Sequence, residues 1–64
     1  MLVVAAEYQD IPSAEIMLAT LEAHGIQAMI VEKHSPIYIK DVDAPVQVHV
    51  SRKDIKTAKS LLAK

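Results

Sequence analysis

The chain has 64 residues and a mass of 7.0 kDa, too small for two hydrophobic cores, so a single domain is expected over 1–64. With 52% hydrophobic residues and a mean hydropathy of +0.21, the composition is that of a folded chain. The absence of Cys removes disulfides, thiolate metal sites and Cys nucleophiles, Tyr8 and Tyr38 are the only aromatic residues, and the net charge of −1 gives no bulk attraction to nucleic acid or membrane.

Leu2-Val3-Val4-Ala5-Ala6 is a short apolar run that reads as a strand over 2–6. No basic residue precedes it and Glu7 stops it, so it does not have the pattern of a targeting segment, and a cytoplasmic protein is expected. Asp10 or Ser13 is a natural helix N-cap, and Pro12 suits the first turn, where a missing N–H costs nothing. Ala14, Met17, Leu18 and Leu21 recur at spacings of three and four, which predicts an amphipathic helix over 13–24. Ile16 lies off that stripe. Gly25 is the only glycine and follows the last helical residues, where a left-handed residue ends many helices.

Residues 26–32 alternate as a strand, with Ile26, Ala28 and Ile30 on one face and Gln27, Met29 and Val31 on the other. Lys33 to Pro36 reads as a loop, 37–39 as a very short strand, and 40–45 as a second turn region. Val46, Val48 and Val50 alternate with Gln47 and His49, a half-buried strand over 46–50. Ser51 and Asp54 resemble a capping box at the start of a second helix, whose apolar stripe is Ile55, Ala58, Leu61 and Leu62.

This order predicts an α+β fold of truncated ferredoxin-like type, β-α-β-β-α with an extra short strand at 37–39. Two helices would cover one face of a small mixed sheet, with strand 46–50 between the other two. The opposite face, expected to carry Val3, Ala5, Met29 and Val31 beside Gln47 and His49, is too apolar to be simply solvated, and the edge of strand 2–6 is open. A chain this short, without disulfides, gains most from association. A homo-oligomer, in the first instance a dimer, is therefore expected to assemble through that face or edge, with Val3, Ala5, Met29, Val31 and His49 at the interface.

Charge is unevenly placed. Residues 1–32 hold five acids and no Lys or Arg, whereas all 7 basic residues fall in 33–64. Arg52, Lys56 and Lys59 share one helical stripe, a docking surface for an acidic partner or, more simply, a solvated helix face. His24 and His34 lie at opposite ends of a strand, too far apart to share a metal. His49, near the end of an antiparallel neighbour, can approach His24 as a metal or pH-sensing pair, against the simpler reading of two surface histidines. Asp41 and Asp43 fit a turn better than a cation loop. No nucleophile–base–orienter set is visible. No catalysis, metal, cofactor, nucleic-acid partner or membrane partner is expected.

The strand, then Ser13-Ala14-Glu15, Leu18, Leu21 through Ala28 (LEAHGIQA), Val46-Gln47-Val48 and Ala58…Leu61-Leu62, resembles a family of short bacterial domains described as signal-transducing proteins of unestablished function. Their fold is similar to the PII-like branch of ferredoxin-like folds. The resemblance spans nearly the whole chain and implies a regulatory or protein-interaction role without catalysis. The helix, Gly-Ile, strand signature is shared with ACT-like regulatory domains. The alternative is therefore a sensor of ACT or PII type that binds a small metabolite or nucleotide at a subunit interface. Residues 33–45 are short and hold no glycine, unlike the nucleotide-holding loop of PII proteins.

Overall fold

The structure is a computed structural model and describes residues 1–32 and 46–63. The element order is β1 (Leu2–Tyr8), α1 (Ile11–Ala23), β2 (Ala28–Glu32), β3 (Val46–Ser51), a single 3-10 turn (Arg52–Asp54) and α2 (Ile55–Leu62). This is a small α+β fold. The sheet order is β1-β3-β2, with β3 in the centre as expected, and both ladders are antiparallel. The mixed sheet expected from the sequence is thus corrected: β1 and β2 run parallel, but β3 separates them. The short strand expected at 37–39 and the turn at 40–45 lie outside the described residues.

The central strand sorts the two faces. Val46, Val48 and Val50 are buried, while Gln47, His49 and Ser51 are half-buried on the other side. Both helices pack on the valine side. The core is Ala14 and Leu21 from α1, Ala58 from α2, Ile26 and the three valines. Ala14, Leu21 and Ala58 are fully buried. The alanines let both helix backbones lie close to the sheet.

Strand β1 departs from simple alternation. Its register shifts between Val4 and Ala6, a β-bulge that leaves Ala5 as the extra residue. Val4 stands opposite His49 before the bulge, and Glu7 opposite Gln47 after it. Without the extra residue, Glu7 would share the phase of Val3 and point at the core. The bulge turns Glu7 outward and brings Tyr8 against the core. Burial there pushes the Tyr8 hydroxyl pKa up.

The bulge also corrects an expectation. Val3 pairs with Val50, and Val3 and Ala5 both pack against the core on the helix side. They are not on the open face. Leu2 and Val4 take their places there. Read as far as Ala6, the run is apolar at every position, so alternation has no phase. Glu7 and Tyr8 also belong to the strand, but the bulge reverses the phase between them and Val4.

Both ends of α1 carry local stop signals. The side chain of Asp10 accepts a hydrogen bond from the Ser13 backbone N–H at 2.8 Å, so Asp10 is the N-cap and Ser13 is not. That backbone hydrogen bond, and then one from the Ser13 hydroxyl, hold the Asp10 carboxyl below the usual aspartate range. A carboxylate with a lowered folded pKa stabilises in full above its unfolded value and loses that contribution as pH falls through the folded value. Melting curves from neutral to strongly acid pH should therefore show a smaller acid loss in Asp10→Ala than in the wild type. An equal loss in both would detach the cap from the acid response.

At the other end, Ile26 N–H donates to Leu21 O and Gly25 N–H to Glu22 O, each at 3.0 Å. This is the Schellman pattern, closed by apolar contact of Ile26 with the last turn. Gly25 has φ +77°, and a Cβ there would meet nothing within 4 Å. The cost of a side chain is therefore conformational alone. Gly25→Ala should lower stability by about 1–2 kcal/mol, read as a shift in urea midpoint. Gly25→Asn should recover part of it.

Before α2, the capping box expected from Ser51 and Asp54 does not form. Neither residue makes a side-chain cap hydrogen bond, because the 3-10 turn at Arg52–Asp54 intervenes and moves the α-helical start to Ile55.

Candidate interaction face

The helix-free face is built by cross-strand pairing. Paired residues of an antiparallel ladder point to the same side, so the register places Leu2, Val4 and Glu7 of β1, Met29 and Val31 of β2, and Gln47, His49 and Ser51 of β3 together. The three larger apolar residues at the Ser51 end stay well exposed: Leu2 at 52%, Met29 at 47% and Val4 at 39%. Val31 is half-buried. His49 sits between Val4 and Met29 in the register. Of the expected interface residues, Met29, Val31 and His49 come together here. Leu2 and Val4 were missed by the sequence reading, and Val3 and Ala5 leave the set.

A hydrogen-bonded relay runs along this face. Gln47 Nε2 donates to Glu7 Oε2 at 3.0 Å, and His49 Nε2 lies 2.9 Å from Gln47 Oε1. A carboxylate only accepts, which fixes the amide with its nitrogen toward Glu7. The amide oxygen also only accepts, so His49 Nε2 carries a proton and donates it. Its Nδ1 has no hydrogen-bond partner among the described residues.

His24 is placed elsewhere. It is the C-cap of α1, and its Nδ1 donates to Thr20 O at 2.9 Å. It belongs to the helix layer, whereas His49 is on the opposite side of the sheet, so the two histidines do not form a pair. Among the described residues no group of three or more His, Cys, Asp or Glu gathers to hold a metal. His34, Asp41 and Asp43 lie outside the described residues.

Arg52, Lys56 and Lys59 are exposed, as is Lys53 beside them. On α1, Glu15 and Glu22 are exposed, and Ile16 is 63% exposed between helix turns. The two helices thus present surfaces of opposite sign. A shallow depression of about 370 Å³ lies at the end of the sheet where β1 and β2 begin, lined by Leu2, Glu22, Gln27, Ala28 and Met29. No described helix is long and apolar enough to cross a membrane.

No protein family, curated protein or solved structure matches this chain.

Proposed function

We propose that this chain is a small, non-catalytic regulatory and protein-interaction module, working in the cytoplasm, that self-associates through the open face of its sheet. The observation that carries this reading is the apolar cluster of Leu2, Val4 and Met29 around His49, which a lone chain leaves well exposed to water. An apolar patch of this kind marks interaction surfaces rather than solvated ones. The face is favoured over the edge of β1 because the bulge at Ala5 distorts that edge, a device that discourages edge-to-edge strand pairing. The strand order and the two helices on one face fit a ferredoxin-like domain without its last strand, in keeping with the resemblance to the short bacterial signal-transducing domains. Arg52, Lys56 and Lys59 remain outward in such an assembly, free to dock an acidic partner.

Sedimentation equilibrium over a rising concentration series tests this reading. The mass should climb from 7.0 kDa toward twice that value. A constant 7.0 kDa at every concentration would overturn it.

The second reading, a small-molecule sensor, rests on the depression at the sheet end. Leu2 and Met29 line it and also belong to the open face, so a second copy on that face would complete its wall. A saturable thermal shift with one metabolite, lost in Gln27→Ala, is the expected sign of a sensor.

A further inference from the structure

We infer that the partner on the open face is a second copy of this chain, related by a two-fold axis near His49, and that each copy must release a proton from His49 to assemble. This rests on the self-association proposed above.

Charge placement admits a second copy on this face, with the oppositely charged pairing of α1 against α2 as the competing arrangement. Self-pairing through α2 would set Arg52, Lys56 and Lys59 against themselves, and pairing through α1 would oppose Glu15 and Glu22 in the same way. The open face carries one charged side chain among the described residues, Glu7. Glu7 pairs with Gln47, two residues along β3 from His49, so it stands off an axis at His49 and the two Glu7 carboxylates are not brought against each other. The apolar residues Leu2, Val4 and Met29 then surround the axis. Three strands of about six residues offer a footprint of roughly 300 Å² per copy, well under the ~800 Å² per partner of a standard interface. The dimer should be weak and in exchange, which makes it responsive to small changes at its centre.

His49 is that centre. The relay from Glu7 through Gln47 holds Nε2–H in both protonation states, so a proton gained goes to Nδ1. A neutral ring is tolerated between Val4 and Met29 of two copies. An imidazolium is not: its charge loses water, the facing copy brings a second imidazolium, and Glu7, the one carboxylate of the face among the described residues, already accepts from the Gln47 amide. Among the described residues, the groups on the face around His49 are Val4 and Leu2 from β1, with Glu7 beyond Gln47, Met29 and Val31 from β2, and Ser51 on its own strand. Glu32 shares the phase of Val46 on the other face, and Arg52 follows Ser51 at the rim.

The test is the dimer dissociation constant of the full chain at two pH values. Two sites that each shed a proton on assembly weaken association by up to roughly 100-fold between about pH 7.5 and pH 5.5, a window above carboxylate titration. His49→Gln should lose this dependence, and His24→Gln and His34→Gln should keep it. Nitrogen-15 NMR of the ring should show the Nε2–H tautomer at high pH. A wild-type dimer of equal strength at both pH values, or a pH response retained in His49→Gln, would overturn the proton linkage while leaving self-association standing. A monomer at both pH values would remove the association reading itself.

Discussion

Leu21→Ala should leave most of the chain unfolded at 25 °C. Leu21 is fully buried where α1, β2 and β3 meet, and its carbonyl accepts the Ile26 N–H of the Schellman turn. Truncating a buried Leu removes its transfer free energy and leaves a cavity, together about 2–5 kcal/mol. A core in a chain this size contributes no more than roughly 3–5 kcal/mol of net stability, so one substitution consumes most of it. Among the described residues seven make up the buried core, and Leu21 is the largest fully buried side chain of them. Circular dichroism in urea is the measurement. The variant should show little or no folded baseline, while Ile16→Ala, at a site 63% exposed, should melt as the wild type does. A Leu21→Ala protein with a midpoint near wild type would mean that the packing is not as described.

The second large effect concerns assembly rather than folding. Met29→Glu should abolish self-association and leave the monomer folded. Met29 is 47% exposed on the open face, so a carboxylate there is solvated in the single chain. In the dimer it would be buried beside the two-fold axis with its own copy opposite, an unpaired charge costing several kcal/mol. Light scattering should give the monomer mass at all concentrations, with a far-ultraviolet spectrum unchanged from a dilute wild-type sample. Met29→Ala and Val31→Ala should weaken assembly in smaller steps. A Met29→Glu variant that still associates would place the interface elsewhere.

Much of the fold was legible because local chemistry and long-range pattern agreed. The sole glycine sat where α1 needed a positive φ, and the alternation of Val46, Val48 and Val50 identified the central strand with its buried side. The stripe Ala14, Met17, Leu18 and Leu21 did the same for α1. The expected capping box failed for a geometric reason: a 3-10 turn is tighter than an α-helical one, so spacing in sequence did not become spacing in space. Strand β1 failed for want of contrast. Five apolar residues in a row satisfy either phase, and a bulge changes the phase midway. The relay could not have been read at all, because Glu7 and Gln47 are 40 positions apart and meet only through the shifted register. Extending the strand to Tyr8 would not have repaired this: by simple alternation Glu7 outside puts Val3 outside as well, and only the bulge at Ala5 reverses the phase and brings Val4 to the open face.

The account turns on which surface of the chain meets its second copy. Isotope-filtered NMR on an equal mixture of labelled and unlabelled chains reads this directly, because only contacts between copies survive the filter. At high concentration and neutral pH, cross-peaks between copies should join the side chains of Leu2, Val4, Met29 and Val31 with the His49 ring. Cross-peaks confined to Ile16 and the α1 surface, or to the basic stripe of α2, would contradict it.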